Sequence, residues 1–169
     1  MSSINKTLAG LELAQIAWVV PDIHVAVKFL SGALGVAGFH PPAQMRAQDL
    51  GMTYHGKVVA GEWLTTQAYN GGTFVELIQP VSGQSMFHDY LARHPAGGVQ
   101  HVAFRLPVSD FERVTGELGK QGYAMISAVD HPIARMAFFD TYGTLGVATE
   151  IMGVTPEGWA AIQQMQQAR

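Results

Sequence analysis

Apolar positions in this chain come in short runs separated by Gly, Pro and Asn, with helical spacing in only a few places. Leu13 to Val20 (LAQIAWVV) mixes aromatic and β-branched residues and is closed by Pro21-Asp22, which predicts a buried strand. Asp22 is placed to cap a helix in which Ile23, Val27, Leu30 and Leu34 recur at helical spacing until Gly35 stops it. Residues 36–56, rich in Gly, Pro, Ala and Gln, predict a loop holding one short strand. Lys57 to Ala60, Trp63 to Tyr69 and Thr73 to Gln79 predict three strands. Asn70-Gly71-Gly72 joins the last two as a hairpin, and Pro80 closes the segment.

A second series follows. Met86 to His94 predicts a connecting helix halted by Pro95 and Gly97-Gly98, and Val99 to Leu106 a second buried strand. Ser109 is a candidate cap for a helix through about Gln121, with Phe111, Val114 and Leu118 inward. Tyr123–Val129, Ala134–Asp140 and Gly146–Met152 predict three more strands. Pro156-Glu157 opens a last helix whose Trp159, Ile162 and Met165 form a packing or partner face.

The order strand, helix, three strands therefore occurs twice, and residues repeat with it. Gln15-Ile-Ala-Trp-Val-Val-Pro21 aligns with His101-Val-Ala-Phe-Arg-Leu-Pro107, 86 positions on. Leu34-Gly-Val-Ala-Gly-Phe39 aligns with Leu118-Gly-Lys-Gln-Gly-Tyr123, and Phe74-Val-Glu76-Leu-Ile with Ala148-Thr-Glu150-Ile-Met. Three matches in one order favour a duplicated βαβββ module over chance likeness of apolar strings. The expected architecture is α+β: a first module over 13–80, a linker helix over 81–98, a second module over 99–153 and a C-terminal helix over 154–169.

Composition narrows the chemistry. The 169 residues are 48% hydrophobic and 14% charged, which suits a compact unit and not a disordered chain. A net charge of -3 with scattered Lys and Arg gives no reason to expect nucleic acid. No apolar run approaches the ~18–20 residues of a spanning helix, and Met1-Ser2-Ser3-Ile4-Asn5-Lys6 lacks a secretory pattern, so the expectation is a cytoplasmic protein with no membrane segment. The absence of cysteine excludes disulfides and thiolate metal sites, leaving imidazole, carboxylate and amide as ligands.

Gln15, Glu76, His101 and Glu150 are polar groups in apolar strands, at matching places in the two modules. A buried carboxylate costs several kcal/mol unless paired or metal-bound, so two at equivalent positions imply a shared partner. One divalent cation (Zn, Ni, Co, Mn or Mg) held by one imidazole, two carboxylates and one amide would satisfy all four. The competing structural readings are a hydrogen-bonded core histidine, a solvated edge glutamate at 76 and a core-satisfied Gln15.

With these residues in view, the chain resembles the glyoxalase / vicinal-oxygen-chelate superfamily from about Leu13 to Met152. Phe74-Val-Glu-Leu-Ile-Gln-Pro80, the Phe87–Leu91 helix and Gly98-Val-Gln-His-Val-Ala-Phe104 are similar to the middle of its methylmalonyl-CoA epimerase branch. The resemblance implies paired modules curled into a cup, metal ligands on the first and last strands of each, and a homodimer. Gln15 stands where the epimerases usually carry His, and Glu76 where they carry Gln. Both residues are glyoxalase I-like. Asp130-His-Pro-Ile-Ala-Arg135 replaces a Gly-rich loop of the epimerases.

The activity implied is proton transfer beside a carbonyl through a metal-stabilised enolate, on an acyl-CoA or other activated-carbonyl small molecule. Glu150 is the first candidate base and Glu76 the second, and Glu62 roughly matches the epimerases' other glutamate. A non-catalytic binder of the bleomycin-resistance type is the alternative. An extradiol dioxygenase needs two His and one carboxylate, which Gln15 breaks. His55 or His131 would line the pocket mouth, Arg46, Lys57, Arg105 and Arg135 are candidates to meet an anionic substrate, and Trp18 and Phe104 read as packing.

Overall fold

A computed structural model describes residues 10–167, so most of the polar lead-in lies outside the described residues. Strand β1 (Glu12–Val19) leads to α1 (Ile23–Gly32), where the Asp22 side chain accepts from the His24 and Val25 amides as a helix cap does. The helix ends earlier than expected. Ala33 closes it, only Ile23 is buried, and Leu34 is 62% exposed.

The region from 36 to 60 departs most from expectation. It contains β2 (Ala43–Arg46), a 3-10 turn (Gln48–Leu50) and a small hairpin of β3 (Thr53–Tyr54) and β4 (Lys57–Val58). Lys57–Ala60 is therefore not the module's second strand; β2 is. The hairpin crosses to the other half of the molecule, where Thr53 and Tyr54 pair with Ala128 and Ser127. Its two-residue strands are too short for alternation to register.

Next come β5 (Gly61–Asn70) and β6 (Thr73–Gly83), joined by a two-residue turn in which Gly71 and Gly72 both take positive φ. Strand β6 continues past Pro80, contrary to the sequence pattern. Pro80 sits opposite Trp63 at a bulge, and the β1 pairing on its other side ends at Ile78, so its missing N–H interrupts no regular ladder there.

Helix α2 (Met86–Arg93), capped by Ser85, leads into β7 (Gly98–Pro107). A 3-10 turn (Val108–Asp110) then precedes α3 (Phe111–Lys120). Ser109 lies inside that turn and caps nothing. Strands β8 (Met125–His131) and β9 (Ala134–Phe139), the short α4 (Tyr142–Leu145), β10 (Ala148–Val154) and α5 (Pro156–Gln167) complete the fold.

All ten strands join one sheet in the order β2-β5-β6-β1-β7-β10-β9-β8-β3-β4. Its halves, β2-β5-β6-β1 and β7-β10-β9-β8, meet at an antiparallel β1–β7 seam. In each half a helical crossover sets the first strand parallel to the last. The curled sheet is a half-barrel whose far edges are tied by residues 47–52, and Ala47 and Met52 on that tie are fully buried. Alternation splits Phe138 and Phe139 between two cores: Phe138 joins Trp63, Phe87 and Val129, while Phe139 packs with Phe111 and Ile151. Trp159 on α5 lies over the Arg105 guanidinium, and Gln166 reaches the Tyr69 hydroxyl.

Candidate metal centre

Parallel pairing of first and last strands brings the four polar residues together. Glu76 lies beside Ala17 on β1, and Glu150 beside Ala103 on β7. Each first strand carries one extra residue immediately before its polar group: Ala14 before Gln15, and Gln100 before His101. Bulges of this kind re-aim a side chain, and these two sit at matching places in the repeat. Both turn their residue toward the concave face.

There the groups touch. Gln15 Nε2 donates to Glu76 Oε2 at 2.7 Å and lies 3.2 Å from His101 Nε2. His101 Nε2 lies 3.1 Å from Glu150 Oε2 and 3.6 Å from Glu76 Oε2. Thr65 donates to the other oxygen of Glu76 at 3.1 Å. Gln15, His101 and Glu150 are buried, whereas Glu76 keeps 18% exposure toward the cavity above. Burial pushes the Glu76 carboxyl up to about 7, with Glu150 adding to the rise and His101 and Thr65 opposing it.

The His101 ring is fixed on every side. It meets Phe138 edge-on at 5.2 Å between centroids and Phe87 at 6.3 Å. Its Nδ1 lies 2.6 Å from Gln100 Oε1, which can only accept, so Nδ1 carries the proton and Nε2 is left facing the cluster. Gln100 Nε2 donates in turn to the Tyr142 hydroxyl at 2.8 Å. Sequence reasoning missed Gln100, Tyr142 and Thr65. The available signal for Gln100 was a polar residue next to a candidate ligand in an otherwise apolar run.

Among the described residues, no group of three or more His, Cys, Asp or Glu side chains stands in an arrangement that would hold a metal ion as it is. The donors contact one another instead. Their chemistry nonetheless fits a cation: one imidazole nitrogen faces two carboxylates, and positive charge between them is what makes the arrangement favourable. Donors sharing an ion at ~2.1 Å stand roughly 3.0–3.4 Å apart, the larger value for a tetrahedral site, close to the spacings seen. Half a turn of the Gln15 amide brings its oxygen to the centre.

Glu62 is not brought there. It pairs with Arg46 at 3.2 Å and accepts from Gln44 at 2.8 Å, away from the residues lining the cavity. His131 lines the cavity and His55 does not.

Three comparisons bear on this geometry. Residues 14–138 match the family described as the Glyoxalase/Bleomycin resistance protein/Dioxygenase superfamily. No curated protein matches the chain. Among solved structures, a hypothetical protein from Bacillus halodurans C-125 is similar at 23% identity over 85% of this chain and 94% of that one, TM-score 0.60. Methylmalonyl-CoA epimerase from Mycobacterium tuberculosis is similar at 20% identity over 88% and 91%, TM-score 0.59. A Streptomyces coelicolor methylmalonyl-CoA epimerase variant in complex with 2-nitronate-propionyl-CoA is similar at 21% identity over 85% and 93%, TM-score 0.58. At these identities the likeness concerns the fold.

Proposed function

We propose that this chain, which belongs to the Glyoxalase/Bleomycin resistance protein/Dioxygenase superfamily, is a metal-dependent isomerase or lyase that moves a proton beside the carbonyl of an activated small molecule. The observation that carries the reading is the meeting of Gln15, Glu76, His101 and Glu150 at the floor of an apolar cup. Gln15, His101 and Glu150 would hold a divalent ion, with Glu76 completing the set. When bound, the ion supplies Lewis acidity toward the substrate's carbonyl oxygen.

The chain's own residues do the rest. Glu76 keeps 18% exposure and Glu150 only 2%, so we reverse the order expected from sequence and assign Glu76 as the base that takes the proton from carbon. Thr65 and Gln15 orient its carboxylate. Glu150, buried against His101, balances charge at the floor. Walls that exclude water strengthen each of these interactions. Apart from Glu76, the carboxylate among the described lining residues is Glu150, which is buried against His101. That favours a single-base proton shuttle, glyoxalase-like, over a two-base epimerisation. Acyl-CoA thioesters and hemithioacetals both remain substrate classes of this reading. Exchange of the substrate α-proton in deuterated water, with each metal restored to stripped protein, tests it. Tight ligand binding with no exchange would instead indicate a binding protein.

Two outcomes follow from the floor itself. Gln100→Leu removes the acceptor for His101 Nδ1 and should weaken metal affinity about 10–100-fold by chelator competition, with Tyr142→Phe milder. The second concerns pH. Folded Glu76 holds its proton up to about 7, against an ordinary value of 4.5. Between those values the native state binds more protons than the unfolded one, so metal-free stability should fall as pH rises through that window. Metal binding, which needs the carboxylate, should strengthen over the same interval. Melting curves at pH 5 and pH 8 with and without metal read both trends, and Glu76→Gln should flatten the metal-free one.

A further inference from the structure

The cup above the floor holds a cavity of about 380 Å³. Four of the chain's eight methionines line it: Met45, Met52, Met136 and Met152, joined by Trp63 and Phe138. Methionine is unbranched and polarisable, and a wall built from it reshapes around apolar groups of different outline. An apolar cavity of about 150 Å³ suffices for benzene. This one exceeds twice that volume and has room for a group of roughly ten or more heavy atoms beside the reacting carbonyl.

The walls carry no permanently charged side chain among the described lining residues. Apart from the floor, the titratable groups among the described lining residues are His40 and His131, with no lysine or arginine. The arginines expected to meet an anion are engaged elsewhere. Arg46 pairs with Glu62, Arg105 with Glu12 beneath Trp159, and Arg135 with Glu112 and Asp130. Lys57, on the β3–β4 hairpin, does not line the cavity either. A carboxylate entering the upper cavity would lose hydration and find no arginine or lysine to replace it.

We propose that the cavity selects substrates in which the activated carbonyl bears a bulky, uncharged, apolar group, and disfavours those in which that group is methyl-sized or ends in a carboxylate. This rests on the metal-centre reading only for where the carbonyl sits.

The test uses full-length, metal-loaded protein and a series of neutral alkyl hydroxamates, whose head chelates metal while the tail lengthens from acetyl to decanoyl. Calorimetric affinity should rise about fourfold per methylene, the fold-change that corresponds to ~0.8 kcal/mol of burial, until the cavity is full. An ω-carboxy hydroxamate of matched length should bind at least a hundredfold more weakly. A flat series, or a carboxylate member that binds as well, overturns the inference. Met136→Lys should reverse the preference by placing an ammonium in the wall. The tail dependence is read again with 1-alkanols, which carry no chelating head, as the rise in melting temperature with chain length. Loss of metal binding with a rising alkanol series would defeat the metal reading alone; a flat alkanol series would defeat the cavity inference whatever the metal does.

Discussion

Glu76→Gln is expected to slow α-proton exchange at least a hundredfold, and up to ten-thousandfold, while the protein still folds and still takes up an ion with reduced affinity. The glutamine keeps the shape of the side chain and one oxygen, so Thr65 and Gln15 retain a partner. What it loses is the ability to carry a proton. Glu150→Gln should act differently. That carboxylate is buried 3.1 Å from His101, and neutralising it removes charge from a site with little water to solvate it. Metal-free Glu150→Gln protein should therefore melt at or above the temperature of the parent, yet gain little from added metal. Parallel measurements of exchange rate, ion affinity and melting temperature separate the two roles. Equal loss of ion binding in both variants would contradict the division between base and ligand.

Gly97→Ala should produce the largest loss of stability of any single methyl addition near the centre. Gly97 has φ +75°, and a Cβ there would stand 2.5 Å from the Val19 carbonyl oxygen and 3.1 Å from the Val20 Cα. Both neighbours are backbone at the end of β1, where it meets β7. Strain at positive φ adds to the clash, so a loss of about 3 kcal/mol is expected. For a chain of this size that lowers the melting midpoint by about 10 °C. His101 lies four residues downstream, so the displaced strand start should weaken metal binding as well. Urea denaturation gives the first effect and chelator competition the second. A variant as stable as the parent would contradict the packing described at the seam.

The repeat made most of this architecture readable. Seven of the ten strands lie in or against apolar runs bounded by Gly or Pro, and the βαβββ order repeats with them. The four floor residues stood out because polarity inside apolar strands is costly and the duplication matched them in pairs. What escaped was set by tertiary contact. The β3–β4 hairpin has no alternation to betray it, and its partner, β8, lies more than 70 residues away. Pro80 reads as a terminator, yet a bulge and the end of β1 leave its position free of ladder demands. Glu62 roughly matched the other glutamate of the epimerases, but Arg46 and Gln44 hold it outside the cavity. The bulges at Ala14 and Gln100 leave no mark in the residue pattern, although they aim both Gln15 and His101.

Everything catalytic in this account depends on a cation at the meeting point of two half-sheets. Chelator-stripped protein titrated with Zn, Ni, Co, Mn and Mg, followed by calorimetry and melting, tests that directly. One ion per chain should bind, raise the melting temperature, and lose most of its affinity in His101→Ala and Glu150→Gln. A parent protein that takes up none of these ions, or variants that bind as tightly as the parent, would contradict it.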